Sequence, residues 1–178
     1  SLLEAPEQAL VNSEQTNFIL ASDNSISGQL RHVWPEAQKE LTEQTGDRDL
    51  PSGTVLKTSG PDGRCIYHAG FHAPHDWLWG KEDEVAVFLD YIRECTEKIL
   101  ADAATRKVPE VAFPLIGTGV FKLPVASFVR MFFQTVATFG RNADSPLRVV
   151  LCDRNEERLE EIVRYGTQSL AAMLAGGR

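Results

Sequence analysis

The segment Val111-Ala112-Phe113-Pro114-Leu115-Ile116 runs straight into Gly117-Thr118-Gly119, and Pro124 follows a few residues later. Apolar residues without polar alternation describe a strand covered on both faces, since a strand with one wet face alternates apolar and polar side chains. Pro114 removes one ladder donor and predicts an irregular end to that strand. Pro124 suits the first turn of a helix, which carries Phe128, Val129, Phe132, Phe133 and Val136 on one side and is expected to stop at Gly140. A strand buried on both faces needs helices above and below it. This one unit therefore confines the chain to α/β architectures.

The remaining segments repeat the alternation. Ala9-Leu10-Val11 reads as a short apolar strand that reaches polar residues at Asn12. A helix is expected from about Ser25, with Ile26, Leu30, Val33 and Trp34 at helical spacing. Pro35 interrupts it, and a second segment follows through Leu41. Thr54–Leu56 and Arg64–His68 are two short strands around the turn Ser59-Gly60-Pro61-Asp62-Gly63. Residues 81–107 form the clearest helix, whose apolar stripe is Val85, Phe88, Leu89, Ile92, Cys95, Ile99 and Leu100. Leu147–Leu151 is a further buried strand, and an acidic helix begins at about Asn155. Residues 45–53 and 140–146 read as turns rather than domain boundaries, which makes residues 1–178 a single domain.

Charge and cysteine usage narrow the function. With 18 Lys plus Arg against 25 Asp plus Glu, the net charge is −7. Such a balance disfavours a broad surface for nucleic acid or anionic lipid, while leaving room for a local basic pocket. No apolar stretch reaches the length of a membrane span, and the first residues lack a basic region followed by an apolar one. The three cysteines, Cys65, Cys95 and Cys152, show no CxxC spacing. Scattered thiols of this kind suit a reduced, cytoplasmic protein.

Two segments carry the chemistry. In residues 113–124 (FPLIGTGVFKLP) a buried strand delivers a Gly-Thr-Gly turn ahead of a Pro-started helix, so loop amides and a helix end can meet an anion. Taken alone, Gly-x-Gly is more often an ordinary tight turn. In residues 11–31 a strand ends in Asn12, passes a polar loop with Ser22, Asp23, Asn24 and Ser25, and enters a helix. Those residue types make a capped helix start, or a helix end facing the same ligand as the glycine loop. Three His and an Asp crowd residues 68–76, but Gly70 and Pro74 break any helix that would present them together, and no metal site is expected. Trp77 and Trp79 beside them read as a packed loop. Cys65 and Cys95 fall on apolar faces and read as core, and residues 154–164 read as a solvated helix face laced with charge pairs.

Taken together, the two segments resemble a macro domain, the module that binds ADP-ribose. The family's first motif, V-N-A-A-N and then G-G-G-V-A-G-A-I, reads here Val11-Asn12-Ser13-Glu14-Gln15 and Asp23-Asn24-Ser25-Ile26-Ser27-Gly28-Gln29-Leu30. Its second, F-P-x-I-S-T-G-x-F-x-x-P, reads Phe113 through Pro124 and is the closer match. The resemblance covers roughly residues 9–165. It implies a three-layer α/β/α fold with a central mixed, mostly parallel sheet. It also implies that Asn12, Gln15 and the loop Asp23, Asn24, Ser25, Ile26, Ser27 and Gly28 contact the distal ribose and its phosphate. The amides of Gly117, Thr118, Gly119 and Val120 would cradle the diphosphate, and Phe121 would line the distal-ribose end.

The chain departs from the family in ways that shape these expectations. Gln15 replaces the motif's last Asn, and Asp23-Asn24-Ser25 replaces three glycines that let the backbone approach a ribose. Hydrolytic members orient a water with that Asn and a nearby Asp, a role for which Asp23 is the available carboxylate. Only 11 residues precede Asn12, so the family's N-terminal strand and its adenine-binding Asp are expected to be missing, with Glu4 or Glu7 as stand-ins. Arg154 is placed to stack on adenine where the family tends to use an aromatic. The implied ligand is ADP-ribose, a related nucleotide-diphosphate ribose or an ADP-ribosylated protein, with no cofactor and no metal. Hydrolysis of ADP-ribosyl linkages stays open. The alternative is a scaffold for protein interaction with a degenerate pocket.

Overall fold

The computed structural model describes residues 8–21, 25–72, 82–119, 121–143 and 146–176. Elements follow in the order β1 (Ala9–Gln15), α1 (Ile26–Val33), α2 (Glu36–Thr45), β2 (Thr54–Ser59), β3 (Cys65–Phe71), α3 (Glu82–Thr105), β4 (Glu110–Pro114), α4 (Val125–Asn142), β5 (Arg148–Cys152) and α5 (Glu156–Gly176). The strands form one sheet in the order β2-β3-β1-β4-β5. β1 pairs in parallel with both β3 and β4, β4 pairs in parallel with β5, and β2 alone runs antiparallel, against β3. The sheet is therefore mixed and mostly parallel, and β5 is an edge.

The period of two along β1 and β3 sorts side chains into two cores. Ala9 and Val11 join Cys65, Tyr67, Ala69 and Phe71 on one face, under Phe88, Ile92, Cys95 and Ile99 of α3, Phe128 and Phe132 of α4, and Ile162 of α5. On the other face Ile66 packs with Leu30 of α1, Ala37 and Leu41 of α2, and Phe18 and Leu20 from the connection between β1 and α1. Helices on both faces of the sheet make three layers, the α/β/α arrangement that the alternation implies. Burial pushes the thiol of Cys65 up and that of Cys95 up to about 12, so both are core residues rather than nucleophiles.

Sequence and structure differ at the ends of elements. β1 does not stop at Val11. It continues through Asn12, Ser13, Glu14 and Gln15 because β3 holds every residue from Ala9 to Gln15 in register with Cys65 to Phe71. α4 does not stop at Gly140. It runs to Asn142, where the Asn142 Nδ2 donates to the Thr138 carbonyl at 3.1 Å and Arg141 donates to the Thr138 hydroxyl at 3.2 Å, so side chains serve the last turn. α2 reaches Thr45 and ends on Gly46 in the left-handed region, with φ of 59°.

A polar chain crosses the sheet on the α1/α2 side. Thr58 of β2 meets the Nε2 of His68 in β3 at 2.9 Å, and the Nδ1 of His68 meets the Nδ2 of Asn12 at 3.3 Å, Asn12 and His68 being paired in register. Since the Asn12 amide is the donor, Nδ1 accepts and the proton sits on Nε2, directed at Thr58. Burial drives the pKa of His68 from 6.5 down to about 3. Two residues after His68, Gly70 lies beneath the ring of Phe18, and a Cβ on Gly70 would overlap that ring.

Two outcomes follow. Gly70→Ala should destabilise the fold by about 1–3 kcal/mol through overpacking, read by denaturant unfolding; an unchanged midpoint would remove Phe18 from the account. When unfolded, His68 takes a proton near pH 6.5, whereas in the fold it stays neutral down to about 3. Its stabilising contribution is thus complete above pH 6.5 and is lost as pH falls toward 3. Between pH 7 and pH 5 the protein should lose about 2 kcal/mol that a His68→Gln variant does not lose. Parallel pH profiles for the two proteins would contradict this.

Candidate functional site

The C-terminal ends of β1, β4 and β5 open together onto a cavity of about 450 Å³. Ends of parallel strands are where open α/β sheets leave a crevice, because the connections leave the sheet there in diverging directions. Of the residues singled out from sequence, Asn12, Gln15, Ser25, Ile26, Ser27, Gly117, Thr118, Gly119 and Phe121 line this cavity. Gly28 does not. It is buried in α1, where its amide donates to the Ser25 hydroxyl at 3.1 Å. Asp23, Asn24 and Val120 lie outside the described residues, as do Ser22, Glu4, Glu7, Trp77 and Trp79.

At the β4 end, the irregularity predicted from Pro114 takes the form of successive tight turns. Ile116 donates to the Pro114 carbonyl at 2.9 Å, and Thr118 reaches the Leu115 carbonyl through both its amide, at 3.3 Å, and its hydroxyl, at 2.9 Å. Leu123 and Lys122 then donate to the carbonyls of Gly117 and Gly119 at 3.0 Å and 3.2 Å. Among the described residues, the amides of Gly117 and Gly119 take no hydrogen-bond partner. The two glycines serve different ends. Gly117 has a φ of 79°, and a Cβ there would come within 2.6 Å of the Phe88 ring. Phe88 itself stands edge-on to Phe71 and Phe121, with centroids 5.5 and 5.6 Å away, so this aromatic group is the floor of the loop. A Cβ on Gly119 meets nothing within 4 Å.

At the β1 end the lining is polar and buried. Asn12 is 1% exposed and Glu14 6% exposed, both on the α1 side of the sheet. The Asn12 Nδ2 donates to the Glu14 Oε1 at 2.6 Å, while its Oδ1 has no partner among the described residues. The start of α1 stands beside them, its Ser25 hydroxyl spent on the Gly28 amide and its Ser27 hydroxyl on the Ala21 amide at 2.8 Å.

At the β5 end Cys152, Asp153, Arg154 and Arg158 complete the wall. Asp153 accepts the Asn155 amide at 2.8 Å and faces the Arg158 guanidinium at 3.5 Å, and the Asn155 side chain caps the Arg158 amide at 3.0 Å. Arg158, in the first turn of α5, thus lines the cavity together with Arg154. Glu14 and Arg158 are among the lining residues that sequence reasoning did not find. The signal for Glu14 was present, since residues two apart in a strand share a face and Asn12 was already a candidate. The His-rich segment divides: His68 is buried in the sheet and His72 is exposed, while His75 and Asp76 lie outside the described residues. Among the described residues no helix is long and apolar enough to cross a membrane.

Comparison with known proteins gives the same picture. Residues 11–132 match the Macro domain family. The human protein mono-ADP-ribosyltransferase PARP14 is 31% identical over 136 residues, which are 76% of this chain and 7% of that protein. The O-acetyl-ADP-ribose deacetylase of Cronobacter sakazakii is 26% identical over 129 residues, 72% of this chain and 62% of the enzyme. The chain thus spans less than two thirds of the length of either relative. Among solved structures, the Oceanobacillus iheyensis macrodomain with ADP has a TM-score of 0.75 at 22% identity, covering 98% of this chain and 88% of that one. The Trypanosoma brucei macrodomain in complex with ADP-ribose has a TM-score of 0.73 at 17% identity, covering 92% and 65%. At these identities the likeness of the structures is one of fold. The match across residues 11–132, together with that fold, establishes that this chain belongs to the Macro domain family.

Proposed function

We propose that the cavity binds ADP-ribose, free or attached to a protein. The observation that carries this reading is that one cavity of about 450 Å³ holds spare backbone donors at its middle and a buried, unpartnered side-chain acceptor, the Asn12 Oδ1, at one end. Backbone amides suit diphosphate oxygens, and a desolvated amide oxygen suits a sugar hydroxyl. The volume lies in the range of nucleotide-sized pockets. In this arrangement the Gly117 and Gly119 amides hold the diphosphate, Asn12 and Gln15 face the distal ribose, Phe121 borders it, and Arg154 stacks on the adenine at the β5 edge. The macrodomains of Oceanobacillus iheyensis and Trypanosoma brucei, solved with ADP and with ADP-ribose, support the same class.

Binding, rather than hydrolysis, is the activity this geometry supports. The hydroxyls of Ser25 and Ser27 are held in the turn into α1, and the carboxylate described at the distal end, Glu14, is bonded to Asn12. None of the three cysteines forms a disulfide, which suits a reducing, cytoplasmic setting.

Calorimetric titration tests the proposal. ADP-ribose should bind in the micromolar range and AMP at least about tenfold more weakly, since AMP lacks the second phosphate and the distal ribose. Gly119→Glu should abolish binding with an unchanged melting temperature, because its side chain enters the cavity from a position where a Cβ meets open space. Absence of heat with millimolar ADP-ribose, or full affinity in Gly119→Glu, would overturn the reading.

A further inference from the structure

We propose that the β5 end of the cavity takes a phosphate carried on the adenosine side of the ligand. ADP-ribose with a further phosphate on its adenosine ribose is then held more tightly than ADP-ribose itself. This rests on the binding mode proposed above, in which the adenosine lies at that end.

The wall at the β5 end is basic in a chain whose net charge is −7. Arg154 and Arg158 both line it, and a guanidinium is not deprotonated in a protein. The two are not equivalent. Arg158 faces Asp153 at 3.5 Å, and Asp153 also accepts the Asn155 amide at 2.8 Å, so that pair is closed within the start of α5. Arg154 is exposed and, among the described residues, forms neither an ion pair nor a hydrogen bond. Asp153 is the carboxylate of this wall, one against two guanidinium groups. Glu14 lines the cavity from β1, with β4 between it and β5, and Glu156 and Glu157 of α5 are not among the lining residues. The wall therefore keeps a cation that the chain itself does not answer.

The sheet fixes what reaches that cation. Pro114 of β4 and Cys152 of β5 are partners in register, so the glycine loop and the segment carrying Arg154 leave neighbouring strand ends, about 5 Å apart. In the proposed binding mode the loop amides hold the diphosphate, and the next part of the ligand toward β5 is the adenosine. A guanidinium stacked on adenine offers the base only its face; its N–H donors lie in its own plane and point past the ring. The ribose attached to that ring carries hydroxyls at 2′ and 3′. A phosphate on either of them meets a planar fork of matching geometry and opposite charge. An arginine beside the adenosine ribose serves a 2′-phosphate in the same way in dinucleotide sites of other α/β folds. An unmodified hydroxyl accepts a bond there but leaves the cation without an anion.

The test titrates ADP-ribose and its 2′- and 3′-phosphorylated forms into the wild-type chain and into Arg154→Gln. The wild type should bind one of the phosphorylated forms roughly tenfold or more tightly than ADP-ribose, with a ratio that shrinks as salt is raised. Arg154→Gln should bring that ratio within about threefold. Loss of stacking weakens all three ligands alike, so the ratio reads the phosphate contact by itself. Melting temperatures verify that the variant folds, and the wild-type ratio stands without it. Equal affinities in the wild type, a preference for ADP-ribose, or a ratio preserved in the folded variant would overturn the inference while leaving ADP-ribose binding intact. Failure of the wild type to bind ADP-ribose at all would overturn the binding mode and the inference with it.

Discussion

β1 is hydrogen-bonded on both sides, in register with β3 along its whole length and with β4 at its start. That ladder keeps a polar sequence, Asn12-Ser13-Glu14-Gln15, in extended form in the middle of the sheet. A buried amide placed there must find partners, and it has two: His68 from the neighbouring β3, and Glu14 from the same face of β1. Thr58 in turn fixes His68, so three strands agree on how the Asn12 amide is turned. The cavity exists because this agreement stops at the Oδ1. One side of the amide is satisfied by the protein, and the other is presented at the ends of the strands.

The donor part of the site depends on packing of a different kind. Phe88 of α3 reaches under Gly117 so closely that no side chain fits between them, and Phe71 and Phe121 hold Phe88 from either side. The loop bends over this aromatic floor with its turn bonds closed, and the amides of Gly117 and Gly119 are left over. Gly117 is thus required by the fold, whereas a Cβ on Gly119 would meet open space. The same motif carries two demands, and the contacts around each Cβ position separate them.

Much of this was legible in the sequence because it is local. The unbroken apolar run before Gly117, the helical stripes of α3 and α4 and the glycine loop before Pro124 can each be read within a dozen residues. The family resemblance carried by the two motifs agrees with the match over residues 11–132. What could not be read is made by residues far apart. Nothing near Asn12 announces His68, 56 positions away. Nothing in the acidic sequence after Asn155 shows that Asp153 and Asn155 turn Arg158 toward the cavity. The end of β1 failed for the same reason, since its neighbours prolong it, whereas α4 outlasts Gly140 through local bonds from Arg141 and Asn142 back to Thr138.

In the proposed binding mode a donor loop after β4 and the buried Asn12 Oδ1 on β1 face one ligand together. Two-dimensional amide spectra of the isotope-labelled chain, recorded through a titration with ADP-ribose, address it most directly. The Gly117 and Gly119 backbone signals and the Asn12 side-chain NH2 signals should shift together along one binding curve, while the outward face of α5 around Val163 stays still. Shifts confined to surfaces away from the ends of β1 and β4, or a glycine loop that responds without Asn12, would contradict it.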